Sequence, residues 1–182
     1  MSMPAMQYYS AEMVRNLPED GNRYETVHGE LLVTPAPRAL HQLVLQRVIA
    51  DLGDYLKREP AGRPWFAPAD ISWTSATLVQ PDCFVVTLEE SRTLDWSRMK
   101  TLLLAVEVLS PSSARADRFT KRRLYQEQRI PVYWVVDCDA ESVEVWTPEA
   151  LFPVVEKERL TWQPEGASDP CVIELAEVFA PI

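Results

Sequence analysis

The alternation of apolar and polar stretches in this 182-residue chain predicts a mixed α/β (α+β) fold. Three observations carry that expectation. Leu102 to Leu109 is apolar apart from Glu107, with the length and Leu/Val content of a strand covered on both faces. A helical stretch and a second apolar strand, Val132 to Asp137, follow it, and strand–helix–strand predicts a parallel pair within a mixed sheet. Arg38 to Lys57 places His41, Val44, Leu45, Val48, Leu52, Tyr55 and Leu56 on one side at helical spacing, the mark of an amphipathic helix.

The remaining elements follow in order. Ser10 caps a short helix that Pro18 stops. Glu19 to Asn22 is turn chemistry, and Tyr24–Val27 with Glu30–Thr34 forms a hairpin around His28-Gly29. Pro35 to Pro37 breaks the pattern before the long helix. Arg63–Trp73 and Leu78–Leu88 read as strands separated by the polar Thr74–Thr77, and Glu89–Lys100 is a polar connection. Ser110-Pro111 ends the buried strand, since proline cannot continue a ladder. Ser112 or Ser113 then caps a helix rich in cations: Arg115, Arg118, Lys121, Arg122 and Arg123. On that helix Asp117, Lys121, Leu124, Tyr125 and Gln128 share the face holding apolar Leu124, so Lys121 is predicted to point inward. Glu141–Trp146 alternates like an edge strand, and Leu151–Ile182 holds one or two further short strands. With no repeat or linker, residues 1–182 read as one domain with a core over about 24–147.

Composition narrows the function. Hydrophobic content of 47% with five glycines argues against disorder. No apolar run reaches membrane-span length, and Met1–Ser10 lacks a basic-then-apolar leader pattern, so no membrane role is expected. Cys83, Cys138 and Cys171 are odd in number and lack zinc-ligand spacing, which suits free thiols and a cytoplasmic location. The net charge of −9 disfavours a generic nucleic-acid coat protein, although Ser110–Ile130 carries six basic and two acidic residues. No GxxxxGK phosphate loop is present, which argues against an ATP-driven enzyme.

Glu107 is the sharpest chemical feature, because a carboxylate inside an apolar strand is costly unless paired or metal-bound. Asp82, after Pro81, enters the preceding apolar strand. If those strands are antiparallel neighbours, the two carboxylates meet and can share a divalent cation, with Lys121 close enough to act on the same centre. A buried Glu–Lys ion pair is the plain alternative.

Pro81-Asp82 and Glu107-Val108-Leu109 resemble the PD-(D/E)XK nuclease signature, except that Leu109 stands where the lysine is expected. Some members of that superfamily supply the lysine from the following helix, where Lys121 stands. The segments Tyr24–Leu31, His41-Gln42, Gln80–Asp82, Glu107–Ser112, Asp117 with Lys121–Tyr125, and Tyr133–Asp137 together resemble the Uma-two family of restriction-endonuclease-like proteins. The resemblance implies a restriction-endonuclease-like mixed sheet flanked by helices, with a Mg²⁺- or Mn²⁺-dependent phosphodiesterase centre acting on DNA. It implies Asp82, Glu107 and the Val108 carbonyl as metal ligands and Lys121 as the displaced catalytic lysine. Glu30 would be an upstream catalytic acid, with His41, Gln80 and Tyr125 as accessory groups. Arg115, Arg118 and Arg122 on the basic helix are candidates for nucleic-acid contact. A homodimer is expected from the resemblance and from tryptophans on edge strands. Against these stand plainer readings: His41 as a packed or capping residue, Glu30 as an exposed strand residue, and Tyr125 as core. The alternative functions are a catalytically silent metal- or nucleic-acid-binding module, and a hydrolase of small phosphorylated substrates.

Overall fold

The structure, a computed structural model, describes residues 7–182; the expectation about a leader in Met1–Ser10 falls largely outside them. Helix α1 (Ala11–Arg15) is capped by the Ser10 hydroxyl, which accepts the Met13 N–H at 3.2 Å. Strands β1 (Arg23–Val27) and β2 (Glu30–Thr34) form an antiparallel hairpin with Val27 opposite Glu30. That register leaves the two-residue turn His28-Gly29, and both residues have positive φ, as a type I′ turn requires. Gly29 is also dictated by space, since a Cβ there would lie 2.2 Å from the Tyr8 ring.

Helix α2 (Ala39–Arg58) buries the seven residues its periodicity predicted. The central sheet then builds outward from the apolar strand. Its order is β3 (Arg63–Phe66), β4 (Cys83–Val86), β5 (Leu102–Val108), β6 (Tyr133–Asp137), β7 (Ser142–Trp146) and β8 (Val154–Glu156). Only β5 and β6 are parallel, as the strand–helix–strand pattern predicted. A short helix α3 (Leu88–Ser91) lies between β4 and β5. Between β5 and β6 a π-helical stretch, Ala116–Lys121, runs directly into α4 (Arg122–Glu127). The chain closes with the hairpin β9 (Arg159–Trp162) and β10 (Cys171–Glu174) and helix α5 (Leu175–Val178).

Period-two alternation sorts the sheet into two cores. Leu104, Val106, Val108 and Trp134 pack against α2, the β9–β10 hairpin and α5. Ala105, Tyr133 and Val135 pack on the opposite face against Leu124 and Tyr125 of α4 and Val27 of β1. Glu107, two residues after Ala105, therefore points to the face covered by α4 and the first hairpin. The hairpin is tied there by Thr26 and Leu78, which exchange both backbone hydrogen bonds at 2.8 Å.

Several expectations need correction. The strands read over Arg63–Trp73 and Leu78–Leu88 are shorter, because Pro68 and Pro81 interrupt the ladders; Ile71 and Val79 retain one isolated bridge. Strand β7 is not an edge: β8 pairs outside it, with Val143 opposite Glu156. The C-terminal stretch holds three strands and a helix, more than its prolines suggested. Trp134 and Trp146 are buried in the cores, so they offer no edge surface for a homodimer. The three cysteines are free and buried, and burial pushes the Cys83 thiol up to about 12, which leaves it inert as a nucleophile at neutral pH.

Candidate functional site

Antiparallel pairing of β4 with β5 sets Cys83 opposite Val106, which carries Asp82 to the end of β5 that bears Glu107. The two acids converge as the sequence predicted. Asp82 Oδ2 accepts the Val108 N–H at 2.8 Å and lies 3.1 Å from His41 Nε2 on α2. Its Oδ1 accepts from Arg23 Nη1 of β1 at 2.7 Å, and the same guanidinium nitrogen donates to the Gln80 carbonyl at 3.1 Å.

Behind Asp82 lies a second, sealed group. Lys121 reaches inward with its side chain 1% exposed. Its Nζ donates to Glu107 Oε1 at 3.0 Å and lies 2.8 Å from Glu25 Oε2 and 3.3 Å from Asp117 Oδ1. The Tyr125 hydroxyl donates to the same Glu107 oxygen at 3.1 Å, and the Gln80 N–H donates to Glu25 Oε1 at 2.7 Å. The π-helical turn sets this arrangement: the Arg122 N–H bonds the Asp117 carbonyl five residues back, and Asp117 and Lys121 both face the sheet. The Tyr133 hydroxyl on β6 holds that carbonyl from below at 3.0 Å.

The two groups differ in electrostatics. Burial alone would raise the Asp82 pKa, but the His41 hydrogen bond and the Arg23 charge outweigh it and hold Asp82 well below the usual carboxylate range. Burial wins at Glu107, whose pKa is pushed well above its ordinary 4.5 despite Lys121; Asp82, Asp117 and Glu25 add to the rise. Asp117 is raised by burial too. Burial would lower the Lys121 pKa, yet Glu107, Glu25 and Asp117 together raise it, so the ammonium stays charged. Burial also raises the Tyr125 phenol well above its ordinary value, which keeps it a hydrogen-bond donor.

Most residues singled out in the sequence are in this assembly. Asp82, Glu107, Val108, Lys121, His41 and Tyr125 are joined by the contacts above. Gln80 is present through its backbone, while its side-chain amide turns to Asp70 at 2.9 Å. Glu30 is not brought in; it is exposed beside the hairpin turn, and Glu25 occupies the inward position instead. The basic helix also differs from expectation. Arg118 is held by Asp137 at 2.9 Å and Glu144 at 2.7 Å, and Arg122 stacks over Trp146 at 4.8 Å. Arg115 is exposed and has no carboxylate partner among the described residues. Sequence reasoning missed Arg23 and Glu25 and left Asp117 without a role. Glu25 stands between half-buried Tyr24 and the polar Thr26 in a strand of five residues, so no apolar run marked it as one marked Glu107.

The donor set bears on a divalent cation. Four buried acids, Glu25, Asp82, Glu107 and Asp117, face two permanent cations, Arg23 and Lys121, so two carboxylate charges exceed the balance when all are ionised. Glu107 Oε2 is buried with no hydrogen-bond partner, and an all-oxygen set suits a hard ion. Among the described residues no three acid, histidine or cysteine side chains are arranged as ligands; both Asp82 oxygens are turned to Arg23, His41 and the Val108 N–H, and the Lys121 ammonium stands among Glu25, Glu107 and Asp117. The donor chemistry therefore fits a hard divalent ion once Asp82 is turned from Arg23.

The family described as "Putative restriction endonuclease" (Uma2) matches residues 11–168. The chain belongs to the Uma2 family. Its fold is similar to the crystal structure of "a putative nuclease belonging to DUF820 from Anabaena variabilis ATCC 29413". The TM-score is 0.75 at 19% identity, over 94% of this chain and 98% of that one. The mixed six-strand sheet between helices is thus the nuclease-like fold that the sequence predicted. Curated proteins give no match. No helix among the described residues is long and apolar enough to cross a membrane.

Proposed function

We propose that this protein is a metal-dependent endonuclease that hydrolyses phosphodiester bonds in DNA, with its centre at Asp82, Glu107 and Lys121. The observation that carries the reading is the Lys121 ammonium 3.0 Å from Glu107, supplied by the helix after β5 and beside an acid from the neighbouring strand. Family membership supports the reaction class. Asp82, Glu107 and the Val108 carbonyl would hold Mg²⁺ or Mn²⁺. When bound, that ion activates water and offsets charge building on the phosphate.

The protein's own groups then divide the work. Lys121, kept charged by three carboxylates and sealed behind Asp82, would orient the attacking water and stabilise the charge growing on the phosphate oxygens once the side chains at the cleft floor move aside. Tyr125 fixes one oxygen of Glu107 and leaves the other for a cation. His41 and the Val108 N–H orient Asp82. Arg23, at the boundary with solvent, can exchange Asp82 for a substrate phosphate.

The test is cleavage of supercoiled plasmid and single-stranded circular DNA with Mg²⁺ or Mn²⁺, comparing wild type with Glu107→Ala and Lys121→Ala. Wild type should cut at least one of the two substrates, and neither variant should cut either, with folding verified by circular dichroism. Normal cutting by Lys121→Ala would remove the lysine from the mechanism. A second reading, a catalytically silent binding module of the same fold, is favoured by one observation: both Asp82 oxygens are already satisfied within the protein. Mg²⁺ binding through Glu107 with no cleavage by wild type would establish it.

A further inference from the structure

The cleft above Asp82 has a composition at odds with a duplex-binding surface. It encloses about 1090 Å³, with Arg23, His41 and Asp82 on its floor. Apolar groups, Pro35, Pro37, Leu45, Ile49, Phe66 and Pro68, make up much of its walls, with uncharged polar groups such as Gln42 and Gln46 between them. Two cations line it, and each is engaged: Arg15 with Asp70 at 3.2 Å and Arg23 with Asp82 at 2.7 Å. Three acids, Glu19, Asp70 and Asp82, outnumber them, and no lysine lines the cleft among the described residues. Arg115, Arg118 and Arg122 lie outside it. A duplex presents one negative charge per about 1.7 Å of its axis and must be met by many cations. This lining can meet about one phosphate.

Resting on the phosphodiesterase reading, we propose that the cleft takes a single-stranded segment of DNA, one or two nucleotides long, and excludes the duplex. Bases offer apolar faces on every side once unpaired, and proline, aliphatic and aromatic walls receive them without charge. Phe66 is the anchor at the mouth: the residue is 58% exposed, makes no aromatic ring pair among the described residues, and immediately precedes the Ala67-Pro68 wall. Gln42 and Gln46, one helical turn apart on α2, place amides along the same cleft for base edges. At the floor Arg23 meets the single phosphate beside Asp82.

The experiment is fluorescence anisotropy of one short labelled DNA strand, alone and annealed to its complement, with Ca²⁺ replacing Mg²⁺ to hold cleavage off. The strand should bind about ten-fold more tightly than the duplex, with a shallow salt slope of about one phosphate. Phe66→Ala should weaken strand binding about ten-fold and leave duplex binding unchanged. Because Phe66 is exposed, the variant should fold normally, which circular dichroism checks. Duplex binding as tight as the strand, or strand binding indifferent to Phe66→Ala, overturns the proposal; duplex cleavage with Mg²⁺ would then leave the phosphodiesterase reading standing. If neither form is bound or cut by folded protein that binds Mg²⁺, the phosphodiesterase reading fails and this proposal with it.

Discussion

Two adjacent parts of one acidic cluster behave oppositely. At the cleft floor Asp82 is buried yet held ionised, with its pKa lowered. In the sealed chamber behind it Glu107 and Asp117 are equally buried, and burial drives their pKa values up. Depth does not separate them. Asp82 faces a guanidinium, an imidazole and a backbone N–H, each aimed at an oxygen. In the chamber three carboxylates share one ammonium, and Glu25 Oε2 and Asp117 Oδ1 contact it without hydrogen-bond geometry. The lesson is that donors per oxygen, rather than exposure, decide which buried acid stays charged.

The largest test of that contrast removes the shared ammonium. Lys121→Met should destabilise the metal-free protein by about 3–5 kcal/mol in chemical denaturation, because buried carboxylates lose their counter-ion. Adding Glu107→Gln to it should restore part of the loss, and failure to do so would show that Lys121 packs rather than compensates charge.

Asp82→Asn should cost about 2 kcal/mol at neutral pH, the scale of a hydrogen bond to a charged group. Its sign follows from a lowered pKa. The ionised form stabilises the fold above the unfolded value of 3.8, so the gap between wild type and variant should close as pH falls below 3.8. A gap independent of pH would place the loss in packing.

Glu107→Gln should have the smallest effect on stability, neutral or stabilising by about 1 kcal/mol without metal, although it should abolish cleavage. Here the pKa is raised, so the wild type is most favoured below 4.5 and loses that contribution as pH rises through the folded value. The variant should therefore gain on wild type with rising pH in thermal melts. Equal profiles would mean that Lys121 fully compensates Glu107.

Much of this assembly was legible in the sequence because two periodicities exposed it. An acid in a seven-residue apolar strand identified Glu107, and helical spacing turned Lys121 toward it. The seven buried residues of α2, His41 included, followed from the same spacing. Arg23 and Glu25 escaped because β1 has five residues and belongs to a hairpin whose docking depends on a non-local bridge, Thr26 to Leu78. Nothing local says which side of so short a strand is inward. Glu30 occupied the expected place in the motif, yet it sits at the hairpin turn and faces water. Arg118 looked free as one cation of a run; its partners Asp137 and Glu144 come from two later strands.

The π-helical stretch from Ala116 to Lys121 has a consequence for the length of the polypeptide itself. This wider turn takes up one residue more than an α-helical turn while Asp117, Lys121 and Tyr125 all stay buried. Deleting one of Arg118, Phe119 or Thr120 would remove the residue that the wide turn absorbs and leave Asp117 and Lys121 three apart, so that only a regular α-helical turn could keep both against the sheet. Every amino acid of the chamber could remain, yet the turn that seats them would be a different one. Spacing here is as much an ingredient of the site as the identity of its side chains.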